Sequence, residues 1–245
     1  MYDILKLLFS SILFLAHFFY AIYSWLIDQN IIRHYYDPWH NRSSVEDMKH
    51  SLEKAPNHLV ISVCQEEVSY EDVSKIIAWS LFLEIPIISF YHNKNGIKPE
   101  EIYVVFKKKY QNLLTKLKWG IEFSDDVIIN SKKSINGFKW EPRTQVNVLT
   151  SKHSRMQLVH VLQNVCSLQE EFSDKLIESI FDKVFPLSEP DLVVICGDSC
   201  TTFGLLPWHT RVTEFLTLKT HYNIDFMKFF KLLEEYSGHE QRYGK

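Results

Sequence analysis

The chain has 245 residues, 46% of them apolar and 23% charged, with a formal net charge of −3 and only seven glycines. Glycine usually supplies about 7% of a globular chain. Here no two glycines are closer than six residues, which leaves no Walker loop and no dinucleotide fingerprint, because each needs glycines close together. The mild acidity also excludes the basic field that nucleic-acid binders carry.

No Asp, Glu, Lys or Arg occurs between Leu7 and Ile27, and Lys6 and Asp28 bracket the run. As a helix that run would be roughly 31 Å long, about one bilayer core. Tyr20, Tyr23 and Trp25 crowd its far end as an interfacial belt would. The segment predicts a retained membrane anchor (residues 1–30). A cleaved signal peptide is disfavoured by the bulk of Tyr23, Trp25 and Leu26 where cleavage would fall. Lys6 on one side and Arg33 on the other leave the orientation to other signals. Four scattered cysteines, Cys64, Cys166, Cys196 and Cys200, read as free thiols in a reducing compartment, which favours a cytosolic C-terminal domain. Asn41-Arg42-Ser43 matches a glycosylation sequon, read as a chance match on that side of the membrane.

A connector (residues 31–57) includes a short helix opened by Ser44 with Glu46 and Asp47 and ended before Pro56. The remaining 58–245 has the size of one domain. His58 to Val63 predicts a buried strand. Ser69 and Asp72 cap a helix carrying Val73, Ile76, Ile77 and Leu81 on one face. Pro86 to Tyr91 predicts a second strand. Pro99 opens a long helix to about Lys118, buried through Ile102, Val105, Phe106, Tyr110, Leu113, Leu114 and Leu117. Its outer lysines, Lys107, Lys108, Lys109, Lys116 and Lys118, read as a solvated face, with contact to anionic lipid as the alternative.

Asp126 to Asn130 and Gln145 to Leu149 read as strands around a turn at Asn136-Gly137. Helices follow at Ser154–Leu168 and Ser173–Phe185, then strands at Asp191–Ile195 and Val212–Leu218. Asp225 opens a last helix to Tyr236, with Gly238 just beyond its end. Strands alternating with helices predict an α/β fold with a mostly parallel sheet covered on both faces.

In such sheets ligands collect beyond the carboxyl ends of the strands. The first strand ends in Cys64-Gln65-Glu66-Glu67, whose acidic pair reads as a helix entrance before it reads as a metal site. The strand at 191–195 ends in Cys196-Gly197-Asp198-Ser199-Cys200. The Cys196/Cys200 spacing has no second pair to complete a zinc site, and no Gly-x-Ser-x-Gly elbow positions Ser199 toward His209. No set of residues supplies nucleophile, base and oxyanion donors together.

Three segments carry a resemblance: Glu189-Pro190-Asp191-Leu192-Val193-Val194, then Leu206-Pro207-Trp208-His209, then Glu240-Gln241-Arg242-Tyr243-Gly244-Lys245. Together they resemble the Nogo-B receptor family, the non-catalytic, membrane-anchored subunits of dehydrodolichyl diphosphate synthase complexes. The similarity runs from about His58 onward and includes the preceding anchor. It implies a cis-prenyltransferase (undecaprenyl diphosphate synthase-like) fold.

Catalytic members of that superfamily carry, after the first strand, an Asp-Gly-Asn whose Asp grips Mg²⁺ on the allylic diphosphate. Here Cys64 falls at that Asp, and a neutral thiol does not replace a hard oxygen ligand for magnesium. The Arg-x-Ser-Gly-Glu pattern that follows Pro-Asp-Leu in catalytic members is also missing, since Val194-Ile195-Cys196-Gly197-Asp198 has no such arginine.

The resemblance therefore implies a chain inactive alone, with Mg²⁺ and the long hydrophobic tunnel belonging mainly to a catalytic dehydrodolichyl diphosphate synthase subunit. It implies that Arg242 and Gly244 enter the partner's site and bind the diphosphate of isopentenyl diphosphate. Arg242 offers a planar fork for phosphate oxygens, and Gly244 permits close backbone approach. It further implies an endoplasmic reticulum membrane location and a role in dolichol synthesis for protein glycosylation. Trp208, His209, Phe229 and Phe230 are the candidate partner-facing residues. A scaffold of the same fold without an enzyme role, and a self-sufficient homodimeric transferase, are the alternatives.

Overall fold

The computed structural model describes residues 2–28, 48–132, 139–167 and 173–240. Helix α1 runs Tyr2–Asp28. Its side chains are described from 9 to 22, where they are exposed. Among residues described at that level, no helix is long and apolar enough to cross a membrane. The expected Asn136-Gly137 turn and the start of the connector helix at Ser44 lie outside the described residues.

Beyond the connector come β1 (His58–Ser62), α2 (Tyr70–Phe82), β2 (Ile87–Tyr91), α3 (Pro99–Lys109), β3 (Leu117–Trp119) and α4 (Asp125–Ser131). Then follow β4 (Thr144–Leu149), α5 (Arg155–Ser167), α6 (Asp174–Val184), β5 (Leu192–Cys196), β6 (Glu214–Leu218) and α7 (Phe226–Gly238). The six strands form one sheet in the order β3-β4-β2-β1-β5-β6, and every pairing is parallel.

Strand side chains alternate between two faces, and both faces are buried. Leu59 and Ile61 of β1, with Leu192 and Val194 of β5, join the core shared with α2, α3 and α7. Val60, Val193 and Ile195 point the other way, against Phe185, Leu187, Leu205 and Leu206. This double covering explains why the strands read as unbroken apolar runs. A satellite cluster of Val161, Val165, Ile177, Ile180 and Phe181 holds α5 to α6. Each fully buried aliphatic or aromatic side chain here contributes about 1.5–3 kcal/mol of burial.

Helix α2 begins as expected: the Ser69 side chain accepts from the Asp72 N–H. Two expectations fail. The long helix from Pro99 stops at Lys109, where Tyr110 takes a non-helical backbone (φ −130°, ψ 42°). A 3-10 turn and β3 follow, because Leu117 and Trp119 are buried while Lys118 between them is exposed. That period of two suits an edge strand paired with Thr144–Val146, and tertiary pairing overrides the helical spacing. Residues 126–130 form helix α4 rather than a strand. Ser124 enters it in extended backbone, and Asp125 and Asp126 sit in its first turn, where carboxylates complement the helix dipole.

Gly238 is the last residue of α7 rather than a left-handed residue beyond it. The chain leaves through His239 in extended backbone (φ −82°, ψ 127°).

Candidate functional site

The carboxyl ends of β1, β2 and β5 meet in a crest, the location where open α/β sheets bind ligands. Val63 extends β1 by donating its N–H to the Tyr91 carbonyl (3.0 Å). This places Cys64 at the lip of the sheet, half-buried. Its sulfur accepts from the Asn93 N–H (3.3 Å) and the Ser62 hydroxyl (3.5 Å), and its thiol points at the Tyr91 carbonyl (3.8 Å). Burial pushes the Cys64 thiol pKa up, so the group is a neutral thiol engaged with its own backbone. Tyr91, beneath it, donates its hydroxyl to the Phe203 carbonyl (2.8 Å), and burial pushes that phenol up to about 12.

Gln65 closes the crest between β1 and β5. Its side-chain N–H donates to the Ser199 carbonyl (2.6 Å), and its carbonyl accepts from the Ser199 N–H (3.2 Å). The side chain passes directly over Gly197, which has φ +126°; a Cβ there would stand 2.6 Å from Gln65 Cδ. Glycine is required twice, by conformation and by close approach.

Glu66 reaches the loop that follows β6. It accepts from the Thr220 hydroxyl (2.5 Å), the His221 N–H (2.9 Å) and the His221 ring Nδ1 (2.6 Å). The other nitrogen of this buried ring, Nε2, accepts from the Ser69 N–H (2.8 Å), so the ring proton sits on Nδ1. Burial alone would raise the Glu66 carboxyl, but the bonds from His221 and Thr220 outweigh it and hold the group below the usual range. Asp72 completes the connection by accepting from the Asn223 N–H (3.1 Å). The carboxylate nearest in sequence to Cys64 is thus engaged at the entrance of α2, where it fastens the β6–α7 loop to the cap residue Ser69 through His221.

The donors fit magnesium poorly. A hard divalent cation takes oxygen ligands, and this lip offers a protonated thiol with a carboxylate committed elsewhere. No group of three or more His, Cys, Asp or Glu that could hold a metal occurs among the described residues.

The other sequence candidates separate. Cys196 is buried and Cys200 exposed. Ser199 is clasped through its backbone by Gln65, whereas His209 lies against the rings of Phe181 (5.3 Å) and Phe185 (6.1 Å). Trp208 stacks on Phe181 (5.4 Å, 8° between planes), and the Arg211 guanidinium lies 5.7 Å over its ring. Trp208 therefore lids the α5–α6 cluster, half-exposed. Phe229 and Phe230 are only 1% and 3% exposed. Both belong to this chain's own core, with Phe229 5.7 Å from Trp79, which corrects their assignment as partner-facing residues. Arg242 and Gly244 lie outside the described residues.

The opposite rim of the sheet is also organised. His58, at the start of β1, is fully buried. Its Nδ1–H reaches the Ser188 carbonyl (2.7 Å) and its Nε2 meets the Ser89 hydroxyl (2.8 Å). Burial lowers its pKa to about 4, against a smaller upward pull from the Ser188 bond. On the same rim the end of α7 meets the start of β6, where His239 Nδ1 is 2.7 Å from the Glu214 carboxylate. Sequence reasoning missed Gln65, His221 and Glu214. A glycine directly after an apolar strand was the one available signal for the Gln65 clasp.

No protein-family model matches the chain. It is 30% identical over 212 residues to the human dehydrodolichyl diphosphate synthase complex subunit NUS1, covering 80% of this chain and 69% of that protein. The mouse subunit Nus1 is 29% identical over 212 residues, covering 80% and 68%. The Schizosaccharomyces pombe subunit is 23% identical over 206 residues, covering 79% and 78%. Among solved structures, a probable undecaprenyl diphosphate synthase from Campylobacter jejuni superposes with a TM-score of 0.55 at 16% identity, covering 78% of this chain and all of that one. Lavandulyl diphosphate synthase from Lavandula x intermedia, in complex with dimethylallyl diphosphate, gives 0.56 at 12% identity, covering 78% and 99%. At these identities the structural likeness is one of fold, and it matches the expected parallel α/β architecture.

Proposed function

The chain belongs to the NUS1 family of dehydrodolichyl diphosphate synthase complex subunits, and we propose that it is the non-catalytic, membrane-anchored subunit of such a complex. It activates a catalytic cis-prenyltransferase partner that condenses isopentenyl diphosphate with farnesyl diphosphate. The product is a long polyprenyl diphosphate for dolichol and protein glycosylation.

The observation that carries this reading is the state of Cys64. The position where the catalytic superfamily needs a magnesium-binding carboxylate holds a thiol whose pKa burial raises. Gln65 and Glu66 beside it are spent on internal bonds. On the α2 side, Trp79 packs 5.8 Å from Phe226 and 5.7 Å from Phe229 of α7. Mg²⁺ and the product tunnel therefore fall to the partner.

Arg242 and Gly244 are this chain's contribution to the substrate diphosphate, and they act in trans. His239 is bonded to Glu214, which stands at the level of Leu192 and Leu59 in the sheet register. From that level Cys64 is about 16 Å further along the strands and about 10 Å across two strand spacings. Three residues past His239, the Arg242 Cα stays within about 11 Å of it. The tail is thus rooted about 19 Å from its own chain's crest, which favours a site in the partner. In the partner's site the Arg242 fork would hold diphosphate oxygens and position isopentenyl diphosphate for attack.

The apolar run from Leu7 to Ile27 is the anchor, in the endoplasmic reticulum membrane with the sheet domain cytosolic. Its free cysteines suit that reducing side. Trp208 and the exposed part of the segment around it face the partner.

Elongation of farnesyl diphosphate tests the proposal, measured with this chain alone, with a catalytic partner, and with the partner plus Arg242→Ala or a deletion of 242–245. The expected result is no turnover alone, strong turnover together and a large loss with either tail variant. Full turnover with the tail-deleted chain overturns the proposal. Turnover by the chain alone would mean a homodimeric enzyme, and binding without any effect on turnover a scaffold.

A further inference from the structure

A helix ends with backbone carbonyls that have no partner within the helix, and a cation placed there is favoured by the helix dipole. The last turn of α7 has no basic residue of its own. The cation comes instead from Lys54, in the connector 185 positions away in sequence: its ammonium donates to the His239 carbonyl. The same ammonium lies 4.5 Å over the Tyr236 ring and 4.0 Å from Glu214 Oε1. The Lys54 backbone N–H donates to the Ser237 hydroxyl (3.1 Å). The other Glu214 oxygen, Oε2, holds His239 Nδ1 at 2.7 Å. One lysine thus touches three of the last four described positions before Glu240, and one carboxylate ties both Lys54 and His239 to the first residue of β6.

The manner in which α7 ends gives this clasp a consequence. A left-handed glycine cap would turn the chain back over the helix. Here Gly238 stays in the helix and His239 continues in extended backbone. With no turn there, the bonds that hold His239 help set where the chain departs, and Lys54 holds it at its carbonyl and Glu214 at its ring.

We propose that Lys54, seated on Glu214, is a positioning residue for the tail that carries Arg242: it fixes where and in which direction that segment leaves the sheet domain. The inference rests on the tail acting in a partner's site, as proposed above. It also ties Lys54 of the connector to the end of α7.

The reconstituted complex, with full-length chains and the catalytic partner, tests this through the split between KM and kcat. Lys54→Ala should raise the KM for isopentenyl diphosphate about 3- to 10-fold, with a smaller fall in kcat, because a misplaced Arg242 holds the diphosphate less well and orients it less well for attack. Lys54→Arg, which keeps the cation, should return KM to within about twofold of the parent. In a chain already lacking 242–245, Lys54→Ala should add nothing, since two changes acting through one element are not additive. An unchanged KM in full-length Lys54→Ala overturns the inference. An equal further loss in the tail-less background also overturns it, because the effect would then be structural. If Lys54→Ala does not assemble, Glu214→Gln carries the test with the same pattern and the same overturning results. Tail deletion without effect sinks the functional proposal itself; a damaging deletion beside a silent Lys54→Ala removes only this inference.

Discussion

The two ends of the sheet differ in a way that its topology alone would not suggest. At the carboxyl end, where a parallel sheet offers its ligand crevice, Cys64, Gln65 and Glu66 are each engaged within the chain: the thiol with Tyr91, Gln65 with Ser199, Glu66 with His221. At the amino end, Lys54, Glu214 and His239 form a partly exposed cluster around a departing chain. A fold can thus keep its architecture while the polar groups at its two ends differ, because the architecture depends on apolar burial and the chemistry on a few polar side chains.

The widest separation between the ends should be catalytic. Deleting 242–245 is expected to cost the complex about 100-fold in kcat/KM, as the loss of a charged diphosphate contact does. Gln65→Ala at the crest should leave it within about twofold. A crest variant as damaging as the deletion would reverse the comparison.

His58 should make the amino end acid-sensitive. Its folded pKa, about 4, lies below the ordinary 6.5, so between those values the unfolded chain binds more protons. The stability it contributes is fully present above pH 6.5 and is lost as pH falls from 6.5 toward 4, about 3 kcal/mol in all. Burial lowers His153 and His92 as well, and they add to the same slope. Urea unfolding at pH 7 and pH 5 should therefore show a smaller difference for His58→Asn than for the parent; equal differences would clear His58 of that role.

Glu66→Ala strands the Nδ1–H and backbone N–H of His221 together with the Thr220 hydroxyl. It should cost about 1–3 kcal/mol in urea unfolding, the desolvation penalty of unpaired donors. Restoring Asp at position 64 should not create turnover in the isolated chain, because Glu66 and Gln65 remain committed; activity of Cys64→Asp alone would contradict this. A last variant sharpens the crest itself. Gly197→Ala should destabilise by about 1–3 kcal/mol from backbone strain, with the Gln65 contact added. Pairing it with Gln65→Ala should recover the contact part and leave the strain part. Complete recovery would mean that φ +126° carries no cost.

Much of the fold was legible because both faces of the strands are buried. Val60 and Val193 face one layer while Leu59 and Val194 face the other, and such strands announce themselves as short apolar runs between turn residues. Ser69 and Asp225 were legible as helix caps because capping depends on residues three apart in sequence. The failures share a different cause. Leu117 fits the helical stripe until β4 offers a pairing edge, and Phe229 and Phe230 look like a partner-facing stripe until Trp79 and Phe226 pack against them.

By itself, the sequence determined the parallel α/β class and the apolar N-terminal run, since each is a property of residue type and local spacing, whereas the meaning of Cys64 came from a family resemblance. Only the tertiary structure decided that Glu66 serves His221, that Gln65 seals the crest over Gly197, and that Lys54 and Glu214 hold the root of the tail. Those bonds join residues 134 to 185 positions apart. Their partners are chosen by the way the sheet brings distant strand ends together, which no local pattern encodes.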